Sequence, residues 1–153
     1  MCGIAGILGR FDEGAVQRMG LAMAHRGPDD EGIFSDSSGP VVLGHRRLSI
    51  IDLSAQGRQP MASEDGNVVL IFNGEIYNFK ELRARLEARH RFRSATDSEV
   101  IVHLYEERGA DAISDLRGMF ALGLWDRARA RAASSSFSAS PSLPNPTVNV
   151  LTC

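Results

Sequence analysis

Met1-Cys2-Gly3-Ile4-Ala5-Gly6-Ile7-Leu8 is the stretch on which the reading of the whole chain turns. Gly3 to Leu8 is a short apolar run that reads as a buried strand, which puts Cys2 at the head of a rigid element. The small side chain behind Met1 permits removal of that methionine, and Cys2 then carries a thiol and a free α-amine on one residue. A thiol has a reference pKa of ~8.5 and an α-amine one of ~7.7 to 8.0, so about half of the amine is neutral at a working pH near its pKa. The amine can therefore take the proton as the sulfur attacks an acyl carbon, the arrangement of N-terminal nucleophiles. The plainer alternative is a small buried hydrophobe near a chain end. Position alone does not choose between the two, and residues further along the chain must.

Working outward, a chain of 153 residues that is 43% hydrophobic and 24% charged fits a single domain with a real core. Its formal charge of -2, with mixed signs along the chain, carries no polyanion footprint and argues against a nucleic-acid partner. Cys2 and Cys153 lie at opposite ends without metal-type spacing, so neither a disulfide framework nor a metal site is indicated, and a reducing, cytoplasmic setting is expected. The apolar opening is too short for a signal peptide and soon meets Arg10 and Asp12. No lipidation pattern fits, and no apolar run approaches a transmembrane length, so no membrane association is expected.

After the first strand, Glu13 to Ala24 carries Val16, Met19 and Met23 at helical spacing and predicts an amphipathic helix packed on that strand. His25 to Gly32 reads as a polar loop, with His25 and Arg26 either stapling it or touching substrate. Ile33-Phe34, Val41-Val42-Leu43 and Leu48-Ser49-Ile50-Ile51 read as strands separated by turns. Arg47, at the edge of a strand, suits bidentate capture of a carboxylate, because its planar fork matches two oxygens at once. Alone, such an arginine is more often a surface charge.

Val68 to Phe72 is the most strand-like run, and it ends in Asn73-Gly74, a usual tight-turn pair. Glu75-Ile76-Tyr77-Asn78 then leads into the helical stripe Phe79, Leu82 and Leu86, with Asn78 as N-cap, giving a strand, turn, helix pattern. The Asn73 amide and the Gly74 N–H can then converge on one point, as a tetrahedral oxyanion requires. A further helix is expected over Ser98 to Arg108, with Asp97 before it as either a cap or a binding acid. Leu116 to Asp126 reads as a closing strand.

Met1-Cys2-Gly3-Ile4-Ala5-Gly6, His25-Arg26-Gly27-Pro28-Asp29, His45-Arg46-Arg47-Leu48-Ser49-Ile50-Ile51-Asp52, Asn73-Gly74-Glu75-Ile76-Tyr77-Asn78, Thr96-Asp97-Ser98-Glu99 and Gly118-Met119-Phe120-Ala121 together resemble the class II glutamine amidotransferase domain, most closely that of the glutamine-hydrolysing asparagine synthetases. The resemblance covers residues 1–126. It implies an α+β fold, the N-terminal-nucleophile hydrolase αββα sandwich of mostly antiparallel sheets. It further implies that Cys2 attacks the side-chain amide of glutamine, that Asn73 and the Gly74 N–H hold the oxyanion, and that Arg47 pairs with the substrate α-carboxylate. Asp97 and the Glu75 region would receive the α-ammonium, and the main chain of Leu48, Ser49, Ile50 and Ile51 would line the pocket. No metal or organic cofactor is implied for this domain. ATP and Mg would belong to a synthetase domain, which, in the same chain or as an intact homologue, is the partner implied for the ammonia. Amino-sugar or phosphoribosylamine-forming amidotransferases are the near alternatives, and a noncatalytic glutamine-binding or inert fragment is the distant one.

After Asp126 the sequence departs from the family pattern. Residues 127–153 run through an Arg/Ala stretch into a Ser/Pro-rich tail, a composition that fits disorder better than strands. The further strands of the family and the Ser-Gly-Gly nucleotide loop of its synthetase domain are absent from the pattern, so the domain is expected to be incomplete at its C-terminus, through a frameshift or an early stop. Weak or no turnover by this chain alone follows from that expectation.

Overall fold

The computed structural model describes residues 2–50, 52–129, 131–135 and 151–152. One sheet holds β1 (Gly3–Leu8), β2 (Asp30–Asp36), β3 (Val41–Arg47) and the short β8 (Leu151–Thr152), in the order β2-β3-β1-β8. The other holds β4 (Met61–Ala62), β5 (Val68–Ile76), β6 (Gly118–Asp126) and β7 (Arg131–Ser135), in sequence order. Every pairing is antiparallel. Three α-helices complete the described part: α1 (Glu13–Ala22), α2 (Phe79–Leu86) and α3 (Glu99–Arg108). No helix among the described residues is long and apolar enough to cross a membrane.

Strand alternation explains the layering, since successive side chains leave opposite faces of a sheet. Ile4, Val41 and Leu43 of the first sheet meet Val69, Ile71 and Trp125 of the second in the middle of the molecule. Their neighbours Ala5, Ile7 and Val42 face the other way, onto Val16 and Met19 of α1. On the second sheet Val68, Leu70, Phe72, Leu122 and Leu124 face outward onto Leu82 and Leu86 of α2 and Ile101 and Leu104 of α3. The result is the four-layered αββα sandwich expected from the resemblance.

Among the described residues, two polar links cross between the sheets. The buried Asp36 carboxylate accepts from Trp125 Nε1 at 3.1 Å and from Arg127 Nε at 2.8 Å. The buried His45 ring reaches the Phe72 carbonyl from Nε2 at 3.0 Å.

The local expectations hold for the positions of the helices and fail at four places in the strands; Asn78 stands at the start of α2, but its side chain bonds the main chain of Asp115 and Arg117 instead of capping the helix. α1 begins where Asp12 caps it, its carboxylate accepting the Ala15 N–H at 2.9 Å, and it stops two residues before Ala24. β2 starts at Asp30, inside the stretch read as a loop, because Asp30 and Glu31 pair with Arg47 and Arg46 of β3. Leu48 to Ile50 is not a strand: β3 ends at Arg47, and Ile51 lies outside the described residues. Asn73-Gly74 is not a turn, since β5 runs through it to Ile76 against Gly118 to Ala121 of β6. Finally, the fold does not stop at Asp126. Arg131–Ser135 pairs with β6 through main-chain bonds, which composition does not reveal. The disorder expected for 136–150 falls outside the described residues.

Candidate active site

Cys2 stands at the head of β1, between the first sheet and the chain leaving β3. The Leu48 N–H donates to its Sγ at 3.4 Å, and the thiol faces the Leu48 carbonyl at 3.7 Å. The thiol is half-buried, which leaves it reachable from the cavity it borders. Arg47, the last residue of β3, is buried, and its guanidinium donates to the Ser54 carbonyl at 3.0 Å and to the Asp52 carbonyl. These acceptors are neutral; among the described residues no carboxylate forms an ion pair with Arg47. A buried cation held by dipoles alone keeps its charge available for an anion.

The loop that holds Arg47 is itself tied down. The Asp52 carboxylate accepts from Ser54 N–H at 2.8 Å and from Ala95 N–H at 2.9 Å; the Ser54 side chain first, then these two N–H bonds, hold its pKa below the ordinary value. Gly57 closes the loop over the guanidinium. A Cβ there would lie 2.4 Å from the arginine Nη2, so a larger residue would have to push the guanidinium from its place.

Asn73 and Gly74 come from the opposite sheet. Just before them, the Phe72 N–H donates to Gln59 Oε1 at 2.6 Å while the Phe72 carbonyl accepts from His45, so the peptide is fixed on both sides. Burial drives the His45 pKa down to about 4, against the smaller upward effect of that carbonyl, so the ring is neutral at pH 7 and Nε2 carries the proton that is donated. Gly74 has φ of +149°, and a Cβ would lie 2.2 Å from the Met119 carbonyl oxygen. The glycine is thus required by both conformation and space. Asp97, in the approach to α3, is buried, and its Oδ2 accepts the Ile76 N–H at 2.8 Å. Burial raises its pKa, and the charge of Glu75 pushes in the same direction.

These elements enclose a cavity of about 300 Å³. Of the residues singled out in the sequence, Cys2, Arg47, Leu48, Ile50, Asn73, Gly74, Glu75 and Asp97 border it. Ser49 does not: its N–H is taken by Asp29 Oδ2 at 2.7 Å. His25 and Arg26 are not among its walls either. The structure adds others, among them Gln59, Thr96 and Met119. Thr96 and Met119 sit inside quoted motifs and were within reach of the sequence, whereas Gln59 has no local signal. A thiol, a buried cation, a buried acid and an Asn-Gly pair on one concave surface suit acyl transfer from a zwitterionic amino acid.

Residues 1–135 match the family model described as a glutamine amidotransferase domain. The chain belongs to the glutamine amidotransferase family. Over 134 residues this amidotransferase domain is 47% identical to asparagine synthetase [glutamine-hydrolyzing] 2 of Bacillus subtilis (strain 168), covering 83% of this chain and 17% of that protein. It is 41% identical over 131 residues to asparagine synthetase B [glutamine-hydrolyzing] of Escherichia coli (strain K12), covering 82% and 23%. The amidotransferase chain thus spans about a fifth of the length of these curated relatives. Among solved structures, the glutamine phosphoribosylpyrophosphate amidotransferase of B. subtilis superposes with a TM-score of 0.72 at 21% identity, over 82% of this chain and 35% of that one, which supports the shared sandwich fold.

Proposed function

We propose that this amidotransferase domain hydrolyses the side-chain amide of free glutamine to glutamate and ammonia, with Cys2 as nucleophile. The observation that carries this reading is the opening of Cys2 and of the Asn73-Gly74 pair onto one cavity that also exposes buried Arg47 and Asp97. With Met1 removed, the Cys2 α-amine takes the thiol proton as Sγ bonds to the amide carbon. The tetrahedral oxygen is received by the Asn73 side-chain amide and the Gly74 N–H. The C–N bond then breaks, the amine's proton leaves with ammonia, and a thioester remains. Water, deprotonated by the same amine, cleaves the thioester to glutamate.

Selectivity for free glutamine follows from the two ends of the pocket. Arg47 pairs with the α-carboxylate, and Asp97, with Glu75 at the rim, pairs with the α-ammonium. A protein-bound glutamine would leave both unpaired in a closed site, at a large cost in binding. In this reading Cys2 and its amine supply nucleophile and base, so the hydrolytic step uses no cofactor. The relatives at 41 to 47% identity are named as glutamine-hydrolysing asparagine synthetases, which favours asparagine synthesis as the destination of the ammonia. In this reading the acceptor is aspartate, in an ATP- and Mg-dependent synthetase part of the full-length protein or of an intact homologue, working in the cytoplasm.

Labelling by a glutamine-like electrophile, read by mass spectrometry, tests the reading even if turnover is slow. Cys2 should lack Met1 and carry the label, excess glutamine should protect it, and Asp97→Asn should abolish the protection. Glutamate release should vanish in Cys2→Ala. Labelling that ignores glutamine would refute the proposed pocket.

A further inference from the structure

A second cavity lies beside α3 and shares no wall residue with the one around Cys2. Three metal-ligand side chains meet there: His90, from the connection after α2, and His103 and Glu106, one turn apart on α3. Glu106 Oε2 lies 2.9 Å from His103 Nδ1 and 3.4 Å from His90 Nδ1. One ligand atom from each of the three falls within 4.8 Å of the other two. Ligands at about 2.0 to 2.2 Å around a tetrahedral zinc stand roughly 3.3 Å apart; the two Glu106 distances already lie near that spacing, and an adjustment of at most about 1.5 Å completes the three-point site.

The outward ring nitrogens supply an independent sign. His90 Nε2 faces Glu107 Oε1 at 3.1 Å. His103 Nε2 is buried without a hydrogen-bond partner, and Glu99 Oε1 stands 3.7 Å from it. His103 thus has a carboxylate before each ring nitrogen, Glu106 at Nδ1 and Glu99 at Nε2. A cation on Nδ1 leaves Nε2–H as a donor toward Glu99. Each histidine then has the metal on one nitrogen and a carboxylate on the other, the arrangement that orients imidazole ligands in metal sites. The two arginines in the cavity wall do not oppose this, because Arg89 is paired with Glu107 and Arg129 with Asp126. We propose that His90, His103 and Glu106 bind one divalent transition metal of the zinc type, which ties the connection after α2 to α3. Cysteine spacing could not reveal it, since no cysteine takes part.

The test is titration of the tag-free full chain with Co²⁺ and then Zn²⁺. The expected result is one equivalent bound, with visible d–d absorption that Zn²⁺ bleaches and without a thiolate-to-metal charge-transfer band. Cys2→Ser should leave the binding unchanged. His90→Gln and Glu106→Gln alter partly exposed side chains, so both variants should keep the wild-type far-UV spectrum while losing affinity by about 100-fold or more; Glu107→Gln, one step removed, should lose about 10-fold. Zn²⁺ should raise the Tm of the wild type and not of His90→Gln. Absence of stoichiometric binding to the wild type, or equal affinity in both His90→Gln and Glu106→Gln, would overturn the site and leave the cluster an ion-pair network.

Discussion

The Asp97 carboxyl is buried against the Ile76 N–H, and burial, aided by the Glu75 charge, lifts its pKa above the ordinary 3.8. A carboxyl with a raised folded pKa costs stability while it is ionised. That cost shrinks as pH falls through the folded value and is gone below the unfolded one. Asp97→Asn keeps an oxygen for the Ile76 N–H and removes the charge. The variant should melt no lower than the wild type at pH 7, while its KM for glutamine rises about 100-fold or more through the unpaired α-ammonium. Thermal unfolding beside steady-state kinetics checks both halves, and a large fall in Tm would contradict this account. At Gly74 the constraint is steric. Gly74→Ala must displace the Met119 carbonyl, and a shift of about 1 Å in the donor N–H costs about 100-fold in rate. The expected outcome is a lower kcat with the KM for glutamine little changed.

On the scale of elements, β5 shows both what the sequence discloses and what it withholds. The run Val68 to Phe72 is unmistakable as a strand, and Asn73-Gly74 stands out as the proposed oxyanion pair once its neighbours are read together. Its conformation was not legible, because the partner that keeps it extended, Gly118 to Ala121, lies more than forty residues away and pairs through main-chain groups. The same reason hid β7, and the loss of the expected strand at Leu48 to Ile50 reflects main-chain bonds to Cys2 and Asp29 that no local pattern announces. Helices were legible to within two residues, since their periodicity is local. His45, which locks β3 to β5, has a pKa of about 4 against an ordinary 6.5 because burial disfavours its charged form. The unfolded chain therefore takes up the proton first. The contribution of this ring is complete above about pH 6.5 and declines as pH falls toward 4, by up to about 3 kcal/mol. Urea midpoints measured across that range should fall for the wild type and fall less for His45→Gln, whose amide can still donate to Phe72.

For the whole molecule, stability and function meet in the layer between the sheets. Ile71 is fully buried there, and Ile71→Ala should cost about 2 to 5 kcal/mol, read as a drop in Tm. The proposed nucleophile hangs from one sheet and the proposed oxyanion donors from the other, so in that reading the distance between two sheets becomes a kinetic variable. A slippage too small to disturb any strand or helix would separate sulfur from its acceptor pair. Rising urea should accordingly extinguish glutamate release at a lower midpoint than the one at which far-UV ellipticity is lost, and Ile71→Val should widen the gap between the two curves.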